Sequence, residues 1–524
     1  MFFMSTAART ALKAVPILGC ATLALTTASP AATTVHGFAQ ASQKLPIARA
    51  FHKRGFAGSG GTLYGGGATL PAAAYLGPQA FSCNPGTVPD VCPGTTANGS
   101  VLFQVTAAGK PDAGDSVQYC QTGSGYGRGV IEMTNPPNGP CAALGASPTG
   151  FGIPSSSQTY ADFAGSDVPD SQSDVNNQAA HNSGRGELVQ MPYIAGAVAL
   201  LYKNSNLANH AQLQLSVATV CAIADGQIVN WNQIPKNPAK PSGPFYASKP
   251  LTLVYRYDGS GTMFSFGNYV SATNPNNPNQ NSHCQHQTFG LSQVYDPFNN
   301  SKGSSGGFGI YQGTSEPGNF LAGNLNPGVV ACVLNSPGAQ CYHADALAPA
   351  PADGAIGIVE AANALSAVNN AQGVNYAQIA VKTGTTLTIY DPIKNLPAAA
   401  KQVTALSINE VLQAPVASGR PNPDITAASG VTGNCLGIVD PASYDNIKTG
   451  YPIIGVTNLE FTSVGNGVKA PDLQNLATFV DQTNFKTSGI TTIDPAGAST
   501  GKTGFSAIAL PAKAVAAVAS CIGA

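Results

Sequence analysis

Apolar positions along the chain fall into short alternating or continuous runs followed by runs of helical spacing, the pattern of strands feeding helices. Thr62-Leu63-Tyr64 predicts a short strand, and Gly65-Gly66-Gly67-Ala68-Thr69-Leu70-Pro71 a turn into a helix over Ala72 to Leu76, with Pro71 in its first turn. Val101 to Val105 alternates as a strand would. A glycine-rich stretch, Tyr119 to Gly129, precedes a short helix over Val130 to Met133. Tyr160 to Pro169 reads as a strand ending in Ser166-Asp167, and the apolar run Leu188 to Tyr202 as a buried strand passing between two lobes. Leu215 to Asp225 is helix-like and stops at Gly226; Trp231, just beyond, reads as a packing residue.

In the second half, Tyr255-Arg256 ends a strand. An Asp258-Gly259 turn and Ser260-Gly261-Thr262 then lead into an amphipathic run through Phe264, Phe266, Tyr269 and Val270. Gly354 to Glu360 predicts a strand and Ala361 to Val368 the start of a helix. Tyr376 to Ile389 is strand-rich, Tyr451 to Phe461 a strand, Asp472 to Val480 a helix, and Phe505 to Pro511 leads into a last helix ending near Cys521. Strands alternating with helices specify an α/β architecture.

Composition narrows the setting. The 524 residues carry a formal net charge of -1 with only 9% charged residues. That excludes a basic nucleic-acid surface and a polybasic membrane patch. Arg9 and Lys13, the apolar segment Ala14 to Ala28 and the small residues Ser29-Pro30-Ala31-Ala32 form an export signal over 1–32, with Ile17-Leu18-Gly19-Cys20 as an alternative lipoprotein box. Residues 33–60 read as a flexible leader. No later run reaches the roughly 18 apolar residues of a membrane helix, so the exported protein is expected to be soluble.

Of eleven cysteines, ten remain once Cys20 leaves with the signal, an even number suited to disulfides in an oxidising compartment. Closeness in sequence pairs Cys83 with Cys92, Cys120 with Cys141, and Cys332 with Cys341, and residues 134–158 read as a disulfide-tied insertion. The competing reading is zinc at His283-Cys284-Gln285-His286, but no C-x-x-C knuckle accompanies it. No metal site and no cofactor motif is assigned.

Candidate chemistry lies at the junctions. Thr69, Ser124, Asp167 and the loop Arg256 to Thr262 each stand at a strand end or helix start, where backbone N–H groups and the helix dipole favour an anion and where open α/β sheets bind ligands. For each alone, an ordinary helix cap or turn explains the residues as well.

Taken together and in order, Gly65 to Pro71, Tyr119-Cys120-Gln121-Thr122-Gly123-Ser124, Phe163-Ala164-Gly165-Ser166-Asp167-Val168-Pro169 and Arg256-Tyr257-Asp258-Gly259-Ser260-Gly261-Thr262 resemble the phosphate-binding periplasmic proteins of ABC phosphate transporters, the PstS type. Gly226 to Asn232, Gly354 to Glu360 and Tyr451-Pro452-Ile453 extend the likeness. Leu70 stands where the family has Phe, and Gly125-Tyr126 where it has Ser-Gly.

The resemblance implies a two-lobed periplasmic-binding-protein fold, type II-like, with a hinged ligand cleft and disulfide-tied insertions. Lobe I would comprise 61–197 and 366–524, and lobe II 198–365. It implies an extracytoplasmic, non-enzymatic and monomeric receptor, periplasmic or secreted, that captures inorganic phosphate for a membrane permease of an ABC importer. The ligand residues would be Thr69, Leu70, Ser124, Asp167, Arg256, Ser260, Gly261 and Thr262, with Asp258 supporting Arg256. Sorting the remaining cysteines by lobe pairs Cys221 with Cys284 and Cys435 with Cys521. The alternatives are a secreted phosphatase, against which Ser260 has no histidine in a recognisable relation, and an extracellular binding or adhesion protein that retains the phosphate pocket.

Overall fold

The computed structural model describes residues 61–81, 100–102, 116–141, 150–154, 158–181, 184–207, 212–224, 226–271, 318–344, 346–370, 373–412, 425–445, 447, 449–479 and 504–523. All lie in one folded unit, Phe56–Ala524. The expected signal and leader, the Cys83–Cys92 pair, the His283 to His286 cluster and Cys284 fall outside the described residues.

Twelve strands form one mixed sheet. They are β1 (Leu63–Gly67), β2 (Val117–Gln121), β3 (Phe163–Ser166), β4 (Leu188–Lys203), β5 (Thr252–Arg256), β6 (Phe320–Gly323), β7 (Cys341–His343), β8 (Ala346–Ala348), β9 (Ala355–Glu360), β10 (Val374–Tyr376), β11 (Ile454–Thr462) and β12 (Phe505–Ala507). Their order is β2-β1-β3-β11-β4-β9-β5-β6-β7-β8, with β10 and β12 also paired to β4.

Strand β4 organises this sheet. Its residues 188 to 197 pair antiparallel with β11, and 198 to 203 with β9. Fifteen of its sixteen residues are buried, which explains a continuous apolar run where a half-exposed strand would alternate. To one side the parallel set β2, β1, β3 ends at a common edge; to the other, β9, β5 and β6 run parallel.

Helices follow the strand ends: α1 (Ala72–Leu76), α2 (Ser124–Ile131), α3 (Gln172–His181), α4 (Val217–Ala224), α5 (Gly261–Ser271), α6 (Leu325–Leu334) and α7 (Ala361–Asn370). Trp231 is fully buried and donates its indole N–H to the Gly354 carbonyl, the packing role expected of it. Disulfides join Cys120 to Cys141, Cys332 to Cys341 and Cys435 to Cys521. Cys221 is also disulfide-bonded.

Three local expectations need correction. Gly65, Gly66 and Gly67 are strand residues rather than a turn, because they pair in parallel with both β2 and β3. Their lack of side chains admits aromatic rings: a Cβ on Gly65 would lie 2.3 Å from Phe163 Cζ, and one on Gly66 2.6 Å from Phe151 Cδ1. Gly65→Ala therefore overpacks a ring buried on both sides and is expected to cost about 1–3 kcal/mol, read as a lower urea midpoint at unchanged slope. Val101 and Leu102 are helical where alternation implied a strand. The helix expected over Val130 to Met133 begins at Ser124 and has ended by Met133, whose φ is 61°.

Candidate functional site

Each candidate residue sits where one strand hands over to the next element. Thr69 and Leu70 follow β1, Ser124 begins α2 just beyond β2, Asp167 follows β3, Arg256 ends β5, and Gly261 and Thr262 open α5. Thr69, Leu70, Ser124, Asp167, Arg256, Ser260 and Thr262 are all at most 1% exposed. A buried arginine and a buried aspartate demand partners, and the site supplies them.

Arg256 is held from below by Asp258. Its Nε donates to Asp258 Oδ1 at 2.7 Å, and Nη2 donates to Oδ2. Asp258 Oδ1 also accepts the Leu325 N–H at 2.8 Å, which anchors the pair to the start of α6. The remaining nitrogen, Nη1, reaches Thr69 Oγ1 at 2.8 Å, Asn326 Oδ1 at 3.1 Å and Thr262 Oγ1 at 3.4 Å. Thr69 comes from the β1 side of the sheet and Thr262 from the β5 side, so one guanidinium edge collects hydroxyls from both.

Ser124 and Asp167 make a second bridge. Ser124 Oγ donates to Asp167 Oδ2 at 3.4 Å and accepts N–H groups from Asp167 and Gly261, each at 3.2 Å. Gly123 N–H is given to the Gly67 carbonyl and Gly125 N–H to that of Gly259, tying the start of α2 to the loop before α5. The approach is close enough to exclude side chains: a Cβ on Gly261 would lie 2.4 Å from Asp167 Cβ and 2.6 Å from Ser124 Oγ. Leu70 turns away from these polar groups, its methyls lying where a Cβ on Gly196 or Gly455 would fall. Among the described residues no acceptor takes the N–H of Thr69 or Leu70.

Burial pushes the Asp167 carboxyl up to about 7, against the pull of Thr457, Arg256 and Ser124, which favour the ionised form. A carboxyl poised there can accept a proton or give one at neutral pH. Glu360, at the end of β9, is pushed up to about 8 by burial although Ala362 and Asn363 donate to it; Asp167 adds repulsion.

Three contributors were not anticipated. Thr457 of β11 donates to Asp167 Oδ1 at 2.7 Å. Asn326 accepts from Arg256, and its Nδ2 is buried without a partner. Thr122 Oγ1 is likewise buried and unpartnered. The legible trace was a Thr457-Asn458 pair interrupting an apolar strand, and a second asparagine in Gly323-Asn324-Leu325-Asn326. The constellation is suited to holding a small tetrahedral anion: hydroxyls, backbone N–H groups and one fixed guanidinium on converging sides, with a single proton-sensitive carboxyl.

Comparison with known proteins agrees with this geometry. The model of the PBP superfamily domain matches residues 92–422, more than half of the chain. Alkaline phosphatase L of Pseudomonas aeruginosa (strain UCBPP-PA14) is 34% identical over 140 residues, 26% of this chain and 32% of that protein. A phosphate-binding protein from an unknown prokaryotic organism is 27% identical over 405 residues, covering 76% of this chain and 81% of its own. The chain thus spans about a third of the length of the first relative and most of the second. Among solved structures, the ancestral soluble variant of the Human Phosphate Binding Protein superposes with a TM-score of 0.50 at 20% identity, covering 87% of this chain and 93% of that one, a likeness of fold. The chain belongs to the PBP superfamily, and its likeness within it is to the PstS type.

Proposed function

We propose that the protein is an extracytoplasmic receptor that captures inorganic phosphate and delivers it to the permease of an ABC importer. One observation carries this reading: Arg256, Thr69, Thr262, Ser124 and Asp167 converge in a buried site drawn from both sides of β4. The names of relatives that include a phosphate-binding protein point the same way. The ligand set would be Thr69, Leu70, Ser124, Asp167, Arg256, Ser260, Gly261 and Thr262, with Asp258 fixing the arginine. If charge-assisted bonds net roughly 1.5 to 3 kcal/mol each, four or five give about 6 to 15 kcal/mol, a range that includes the ~8 kcal/mol of micromolar binding.

In this reading residues 61–197 and 366–524 form one lobe and 198–365 the other, the lobes close on the ligand, and the exported protein acts as a monomer in the periplasm or the medium. Gly261→Ala tests closure. Its methyl would collide with backbone-fixed Asp167 Cβ rather than with a flexible tip, so phosphate affinity should fall about 100-fold or more while the melting temperature stays within a few degrees. Equilibrium dialysis with radiolabelled phosphate is expected to give one bound phosphate per chain, undisturbed by excess sulfate. Absence of retention at millimolar phosphate would overturn the proposal.

The name alkaline phosphatase L on one relative favours a second reading, phosphate-ester hydrolysis. Ser260 would be its nucleophile, but Ser260 Oγ accepts the Met263 N–H at 3.2 Å, as a helix-capping hydroxyl does. Turnover of a phosphate ester that survives purification and vanishes in Ser260→Ala would establish it.

A further inference from the structure

Directly behind the anion site lies a cluster that the binding reading does not use. One turn or one short step beyond Ser124, Asp167 and Thr457 stand Arg128 of α2 and Glu132 just after it, Asp170 and Asp174 around the start of α3, and Glu460 of β11; all are at most 5% exposed. Four carboxyls thus share one guanidinium. Arg128 is committed elsewhere: Nη2 pairs with Asp174 Oδ1 at 2.6 Å, Nη1 reaches the Pro169 carbonyl at 3.3 Å, and Nε lies 4.0 Å from Glu132. Asp174 Oδ2 takes the Ser171 N–H and hydroxyl at 2.7 and 2.6 Å, and Glu132 takes the Asn177 amide at 3.0 Å.

Asp170 and Glu460 are left with each other. Neither oxygen of Asp170 nor Oε1 of Glu460 receives a hydrogen bond from any donor group of the described residues; yet the Asp170 N–H donates to Gln190 Oε1 at 2.7 Å and Gln190 stands opposite Glu460 between β4 and β11, which brings the two acids to one patch of the sheet. Two ionised carboxylates cannot hydrogen-bond; a carboxyl and a carboxylate can. The charged and titratable groups facing the pair are Arg128 from α2 and Glu132 at its end, Asp174 from α3 and, towards Glu460, Tyr119 from β2.

We infer that Asp170 and Glu460 share one proton, and that this carboxyl–carboxylate bond pins the loop carrying Asp167 to the strand carrying Thr457, making the two acids positioning residues for the anion site. The bond adds, beyond the end of the β3–β11 ladder, to the contacts of Thr457 Oγ1 with Asp167 Oδ1 and of Asn458 Nδ2 with the Ser166 carbonyl. Burial raises both groups well above ordinary carboxyls and Arg128 opposes it at both; repulsion from Asp174 and Glu132 adds to the rise at Asp170, where the bond to Glu460 pulls the other way, and repulsion from Asp170, Glu132 and Asp174 adds to it at Glu460. The proton itself is independent of the phosphate reading; only its consequence for affinity rests on that reading.

Infrared difference spectra in heavy water at about pH 9 test it, where Asp167, Glu132 and Glu360, pushed up to about 7, 7 and 8, are mostly ionised. Wild type should retain one protonated-carboxyl C=O stretch that disappears in both Asp170→Asn and Glu460→Gln. Phosphate affinity should stay within about threefold in these two variants, whose amides still bridge the gap, and fall about tenfold or more in Asp170→Leu, which cannot. Absence of the C=O band from wild type, or its persistence in both amide variants, would overturn the shared proton even if phosphate binds normally. Equal affinity in Asp170→Asn and Asp170→Leu would overturn the positioning role.

Discussion

Arg256→Ala is expected to weaken phosphate binding by about 30- to 5,000-fold. The substitution removes the one cation that the described residues aim into the site and also strips Asp258 of its partner, leaving a carboxylate that keeps, among the described residues, the Leu325 N–H. Truncating one member of a buried, hydrogen-bonded charge pair costs about 2–5 kcal/mol, which is about a 30- to 5,000-fold loss. Arg256→Lys separates charge from geometry. An ammonium keeps the charge but cannot span both Asp258 oxygens while reaching Thr69 and Thr262, so it should recover only part of the loss. Full recovery by lysine would mean that the fork arrangement contributes nothing.

Asp167→Asn should change which anion is accepted. Above about pH 7 Asp167 is ionised, and an ionised carboxylate accepts a hydrogen bond from an anion that brings a proton and repels one that does not. Phosphate near neutral pH fits this condition and sulfate does not. A site built around such a bond rejects the mismatched analogue by about 10⁴-fold, and the amide, which donates without carrying charge, should reduce that preference to about tenfold. The same substitution carries a pH signature in the unliganded protein. Because Asp167 is pushed from the ordinary 3.8 up to about 7, the folded state binds its proton more tightly than the unfolded one. The stability this contributes is complete below about pH 4 and lost as pH rises through about 7. Asp167→Asn should therefore melt several degrees above wild type at about pH 8 and level with it at about pH 4. Coincident melting at both values would mean that Asp167 is hydrated when no ligand is bound.

What the chain discloses before folding is uneven for physical reasons. Ser260-Gly261-Thr262 after Arg256, and Ser166-Asp167 after an apolar strand, are local chemistry; strand ends and helix starts announce themselves through turn residues and exposed backbone groups, so the anion-binding segments were legible one by one. Thr457 was not, because its role comes from a strand 290 residues away in sequence from Asp167 that lies next to β3 only in the folded sheet. Asn326 belongs to the same class. Gly65 and Gly66 of β1 read as a turn since their reason for being glycine is the pair of rings, Phe163 and Phe151, that pack where Cβ atoms would be. The early start of α2 is similarly tertiary. Gly123, Gly125, Gly127 and Gly129 make a poor helix by propensity, but Gly127 could carry no side chain there, since its Cβ would sit 2.6 Å from Gly67 Cα. The same closeness that hides the helix in the sequence brings Ser124 to the site.

We propose that one buried site, divided between the β1 and β5 sides of the sheet and selective through the proton that a bound anion shares with Asp167, is a phosphate site. Titration calorimetry of the protein lacking residues 1–32, with phosphate and then sulfate at about pH 8, where Asp167 is mostly ionised, measures this directly. The account predicts one phosphate per chain at micromolar or tighter affinity and no sulfate heat at millimolar concentration. Sulfate binding with affinity equal to that of phosphate, or no phosphate heat at millimolar ligand, would contradict it.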